Sequence, residues 1–214
     1  MATQTSNFTN FNTLARAGEY TASGNTYKWA NRTNAQTSNN SYTQLKWSDS
    51  EEVYQPASVS LNLTSETTNY LTVTGLTSTV PAGSTINGIT IKIERYNGNP
   101  SGMFPLTIVD NAIYLTKNGS SVVGNNKSTG ATWQGSDNNT TVDFGGASDL
   151  WGTTLTAAEV NASTFGVMIS PALTYTNYPE TGANVNIDQV SITIDYTGGS
   201  VRRRAVFSSE CNFD

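Results

Sequence analysis

The sequence predicts an all-β protein, an antiparallel sandwich or barrel, and three observations carry that expectation. Charged residues make up only 13% of 214 residues, while Asn, Thr, Ser and Gly fill the gaps between short apolar runs, a pattern of many strands and many turns. In VPAGSTINGITIKIER, Val80 to Arg95, three isoleucines (Ile89, Ile91, Ile93) alternate with Thr90, Lys92 and Glu94. β-Branched residues then share one face, as in a half-buried strand. Turn chemistry punctuates the apolar runs, with Pro81-Ala82-Gly83, Asn118-Gly119 and Gly198-Gly199 as the clearest cases.

Composition also narrows function. There is no histidine, which removes Ser-His-Asp and Cys-His chemistry and the commonest ligand for zinc or copper. Cys211 stands alone, so neither an intrachain disulfide nor a thiolate cage is available, and no cofactor is expected. A net charge of −5 and a pI near 4.7 disfavour a nucleic-acid partner. MATQTSNFTNFN has neither a basic nor an apolar targeting segment, and no stretch reaches the length of a membrane span. Synthesis in a cytoplasm and no membrane partner are the expectations.

Taken in order, residues 1–24 are polar with scattered Phe8, Phe11 and Leu14, and read as an N-terminal arm. The body is expected over 25–198. Its first part carries Tyr27, Trp29, Tyr42 and Trp47; these could form a sugar-stacking platform, but large aromatics in β proteins more often fill a core or interface. Residues 42–47 alternate as a strand, and Asp49, Glu51 and Glu52 follow as a solvated loop. Residues 57–63 and 69–76 read as two strands around the polar turn 64–68. Residues 107–116 and 120–123 form a hairpin across Lys117-Asn118-Gly119, since Asn-Gly supplies positive φ.

Residues 124–149 read as the longest irregular region, anchored by Trp133, with Phe144-Gly145-Gly146 allowing close backbone approach. Asp137, Asp143 and Asp149 lack the spacing of a calcium loop, and surface Asp in turns is the common case. Thr156-Ala157-Ala158-Glu159 has the form of a capping box, so Thr156 should start a short helix ending near Asn161. A strand over 165–169 follows, then a polar loop over 172–182 displaying Tyr175 and Tyr178. In the last strand, 185–196, Val185 and Ile187 fall on one parity and Val190, Ile192 and Ile194 on the other, which requires a bulge near Asp188-Gln189. Residues 199–214 read as a C-terminal arm, with Arg202, Arg203, Arg204 and Phe207 after the Gly-Gly hinge.

Several ordered motifs carry a resemblance. They are Leu76 with residues 80–89, Ile93-Glu94-Arg95, Tyr114-Leu115-Thr116-Lys117-Asn118-Gly119 and Gly145 to Gly152. Ala158 to Ser163 with Phe165-Gly166-Val167, and the closing residues 190–196, complete the set. Over residues 29–196 the chain resembles structural proteins of tailed-bacteriophage particles. The resemblance implies a jelly-roll-like antiparallel β-sandwich with one short helix. It also implies a non-enzymatic place in the virion, as a capsid decoration (cement) protein or in a tail fibre or adhesin, and brings no catalytic residues.

The first expectation is therefore a cement protein on the capsid exterior, a homotrimer clamping the major capsid protein through extended terminal arms. Its candidate contacts are Phe8, Phe11, Arg202, Arg203, Arg204 and Phe207. The alternative is a tail-fibre or adhesin domain stacking a host glycan on Tyr175 and Tyr178. An enzyme working with paired carboxylates ranks last, because Asp and Glu lie in turns with no spacing that predicts a facing pair.

Overall fold

The computed structural model describes residues 1–17, 21–22, 25–48, 60–98, 106–135, 139–179 and 185–198. Its elements are β1 (Ala2–Leu14), β2 (Thr21–Ala22), β3 (Asn25–Ala30), a 3-10 turn (Arg32–Gln36), β4 (Thr43–Ser48), β5 (Ser60–Thr67), β6 (Tyr70–Leu76) and β7 (Thr85–Asn97). They continue with β8 (Leu106–Thr116), β9 (Val122–Val123), β10 (Thr140–Gly146), α1 (Ala157–Val160), β11 (Gly166–Pro179) and β12 (Val185–Thr197). These strands pair antiparallel throughout. The protein is an all-β sandwich with one short helix, as its composition and strand periodicity predict.

One sheet runs β10–β7–β12, and the far edge of β12 takes two strands in succession, β4 at Asn186–Ile187 and β1 at Ser191–Tyr196; β3 and β2 extend it beyond β4. The other runs β1–β6–β11–β8–β9, with β5 following β6 along one edge of β11. Ile89, Ile91 and Ile93 of β7 meet Val167, Ile169, Ile113 and Leu115 of the second sheet in one apolar core. Alternation along β7 holds as read: the isoleucines are buried, Lys92 is exposed, and Thr90 and Glu94 are half-buried. The bulge in β12 lies where the parity change demands, between Ile187 and Gln189, so Val185, Ile187, Val190, Ile192 and Ile194 are all fully buried.

The N-terminal arm is corrected for residues 2–14. Residues Ala2–Asn7 pair with β12 and Phe8–Leu14 pair with β6, so β1 passes from one sheet to the other and stitches them together. At the crossing, buried Ser6 accepts the backbone N–H groups of Thr77 (3.0 Å) and Ser78 (3.2 Å) through its hydroxyl. The carbonyls of Phe8 and Phe11 accept from Gln36 and Arg32 of the 3-10 turn. Phe8 and Phe11 both lie in the core and are not surface contacts. Apolar residues are sparse in β1 because only a few of its positions face the core, while its polar residues serve the ladder and the solvent.

Two further expectations change. Residues 64–67 are strand, not turn, and β5 and β6 form no hairpin; they lie end to end on β11. The break between them faces the bulge at Ser170/Pro171. Pro171 has no N–H to give a ladder, and the buried Thr68 hydroxyl donates to its carbonyl at 3.0 Å while Ser170 Oγ donates to Thr68 O at 2.8 Å. The stretch 172–179 continues β11 instead of forming a loop, and part of the irregular stretch 124–149 is β10.

Because Phe8 fills the core where β1 changes sheets, Phe8→Ala should destabilise the fold by about 3–5 kcal/mol, the usual cost of emptying a buried phenylalanine site. Urea unfolding checks this; a loss within about 0.5 kcal/mol, the ordinary range for a surface substitution, would return β1 to the status of an arm.

Candidate functional site

Two constellations stand out. The first begins with the parity of β7: continuing the inward series Ile89, Ile91, Ile93 brings Arg95 inside, where only 3% of it is exposed. Across the sandwich, Asp110 of β8 is buried to a similar degree. Arg95 grips it with both terminal nitrogens, Nη1 to Oδ1 and Nη2 to Oδ2, the latter at 3.0 Å. Trp133 donates its indole N–H to Asp110 Oδ1 at 2.9 Å. The guanidinium also lies over the rings of Trp133 (4.8 Å to the centroid) and Phe144 (5.7 Å). Burial pushes the Arg95 guanidinium below its ordinary value, and Asp110 pulls it back up.

Residues 131–135 close the gap between the sheets here. Trp133 N donates to Ile108 O and Asp110 N to Ala131 O on the β8 side, and Asn97 N donates to Gln134 O on the β7 side. Trp133 is thus the anchor expected of it. A cleft of about 190 Å³ opens between this segment and β10.

The second constellation lies around α1. The Thr156 hydroxyl accepts from Glu159 N at 3.2 Å and Glu159 Oε2 accepts from Thr156 N at 2.8 Å, completing the capping box. Asn161 receives Val80 N and donates to Val80 O, both at 2.8 Å, just before the Pro81–Ser84 turn, in which Gly83 takes φ 77°. Lys117 binds Glu159 at 2.8 Å, and Thr164 donates to Lys117 O. Trp151, held at φ 59°, donates its indole N–H to Ile89 O at 2.9 Å. Gly145 has φ 83°, and a Cβ there would strike both Ile89 O and the Trp151 ring. Segments far apart in sequence are knit by these bonds.

Of the expected capsid-contact residues, the described residues include only Phe8 and Phe11. Phe8 and Phe11 are in the core, whereas Arg202, Arg203, Arg204 and Phe207 lie outside the described residues. The backbone of Tyr175 and Tyr178 is in β11, paired with Leu63 and Leu61 of β5. Among the described residues no group of three or more His, Cys, Asp or Glu is arranged to hold a metal ion. Asp137 lies outside the described residues, Asp143 is exposed, and Asp149 pairs with Lys127 at 2.6 Å.

No family model, curated protein or solved structure matches this chain.

The Arg95–Asp110–Trp133 centre was missed in the sequence, although a signal was present. Period-two alternation, carried one step beyond Ile93, already puts Arg95 on the inward face. Another buried carboxylate, Asp188, lies at the β12 bulge expected there. It accepts from the backbone N–H groups of Asn39 and Asn40 and from Asn139 Nδ2 at 3.0 Å, binding two loops to the strand.

Removing one partner of a buried pair leaves the other charged and unmatched. Arg95→Met should therefore cost about 3–5 kcal/mol, and Asp110→Leu added to it should recover much of the loss, measured by urea unfolding. Lys117 and then the Thr156 hydroxyl and amide hold Glu159 below its ordinary 4.5. A depressed folded-state pKa contributes stability above the unfolded value and loses it as pH falls through the folded one. The melting temperature of the wild type should exceed that of Glu159→Gln at pH 7, and the gap should close on acidification below 4.5; a gap independent of pH would contradict the assignment.

Proposed function

We propose that this chain is a non-enzymatic structural protein of a tailed-bacteriophage particle, a decoration protein set as a homotrimer on the outer shell against the major capsid protein. One observation carries the reading. Several of the segments that resemble virion proteins, which are dispersed over residues 76–196, are bonded to one another in and near α1: Val80 to Asn161, Lys117 to Glu159, Gly145 to Trp151 and Trp151 to Ile89. What they support is a rigid body whose elaborate bonding serves shape, which suits a protein that works by occupying a lattice position.

With Phe8 and Phe11 in the core, the clamp is assigned to residues 199–214 alone. Arg202, Arg203 and Arg204 would meet carboxylates of the shell through charge-assisted hydrogen bonds, and Phe207 would supply an apolar anchor. Heads lacking the protein, mixed with the purified full chain and imaged, should show added density on the outer shell, and a chain ending at residue 198 should remain folded but leave the shell bare. Density on tails, or equal occupancy by both chains, would contradict the reading.

A further inference from the structure

The sequence holds three Asn-Gly pairs, Asn87-Gly88, Asn97-Gly98 and Asn118-Gly119. Such a pair can react with itself: the glycine nitrogen attacks the asparagine Cγ and ammonia leaves, since glycine has no Cβ to obstruct the approach. The fold sets the three apart. Gly88 lies within β7, paired with Asp195 of β12, and a Cβ there would already strike the main chain of Gly146 and Ala147. Asn97 ends β7, is only 3% exposed, and gives its N–H to Gln134 O. Neither pair can bend its main chain for the attack without breaking those contacts. Asn118 is exposed in the turn between β8 and β9, where Gly119 takes φ 73°.

The bonds around Asn118 match the reaction. Its Oδ1 accepts from Ser120 N at 3.0 Å, Ser121 N at 2.9 Å and Ser121 Oγ at 3.0 Å, so the carboxamide folds back over the main chain that follows it. Negative charge develops on this oxygen when Cγ becomes tetrahedral, and donors already aimed at it act as an oxyanion hole. Gly119 N–H, which must lose its proton to attack, donates to Thr116 Oγ1 at 2.9 Å, and the same hydroxyl donates to Asn118 Oδ1 at 3.4 Å. Thr116 is fully buried, which fixes its hydroxyl between the two. We propose that Asn118-Gly119 is a self-modification site at which Thr116 passes the Gly119 proton to Asn118 Oδ1 as the N–Cγ bond forms. Ser121 Oγ, which accepts from Asn118 Nδ2 at 2.8 Å and donates to Oδ1, then protonates Nδ2 and takes the proton back from Oδ1. The Cγ–Nδ2 bond breaks and ammonia departs. Water opens the resulting succinimide at either carbonyl and leaves aspartate or isoaspartate at 118. Each product adds a negative charge beside Lys117, the residue that holds Glu159.

The test is peptide mass spectrometry on the full chain after prolonged incubation at neutral pH. Asn118 should convert faster in the folded chain than in the same chain held unfolded in guanidinium chloride, whereas Asn87 and Asn97 should convert more slowly when folded. Thr116→Val should slow conversion at Asn118 by about a hundredfold, the low end for a positioned proton-transfer group, and Thr116→Ser, which keeps the hydroxyl, should restore it. If Thr116→Val unfolds, Ser121→Ala, at an exposed position, should slow the reaction in its place. Conversion of Asn118 no faster in the folded chain than in the unfolded one would overturn the proposal. So would a wild-type rate in a folded Thr116→Val or Ser121→Ala chain, which would leave the turn bonds a purely structural role.

Discussion

The buried ion pair between Arg95 and Asp110 is the constraint on which one end of the sandwich depends. Elsewhere, apart from β1, the sheets are joined largely by apolar packing, which is tolerant of small slips because it is non-directional. Here β7 and β8 meet through two charged groups with fixed geometry. Desolvating them is costly, and the interaction is favourable only while every partner is present. Trp133 supplies the third bond and a ring face, so the segment it belongs to is held in the gap between the sheets. Register, closure and the shape of the adjoining cleft are thereby coupled.

A second tie works at chain level. β1 gives half its length to each sheet, and its own edge is partly covered by the 3-10 turn. Unfolding one sheet must therefore disturb the other. The two ties differ in kind: β1 acts through ladder bonds and two phenylalanines, the ion pair through charge. Together they make the sandwich a single cooperative body in the described residues, although its sheets share edges only through β1.

Much of this was legible in the residues. The isoleucine alternation of β7, the bulge in β12, the Asn-Gly hairpin and the capping box of α1 each rest on local stereochemistry, and local stereochemistry is written in a few adjacent residues. The misreadings have a common cause. β1, the strand content of 64–67 and the continuation of β11 through Tyr175 and Tyr178 are polar segments whose conformation is fixed by neighbours distant in sequence. Arg95 was hidden differently: a cation on an inward position looks like the end of a strand until Asp110, fifteen residues on, supplies its counter-charge. Of the expected contacts, Phe8 and Phe11 lie in the core, and Arg202, Arg203, Arg204 and Phe207 lie outside the described residues.

Native-state hydrogen exchange at the Trp133 indole N–H tests the central claim most directly, because that proton is bonded to the ion pair itself. If the pair closes the sandwich, the proton should exchange only through global unfolding, with a protection free energy equal to the stability measured by denaturant and a matching denaturant slope. Exchange through a small local opening, with little denaturant dependence, while the amides of β7 and β12 stay fully protected, would contradict the account.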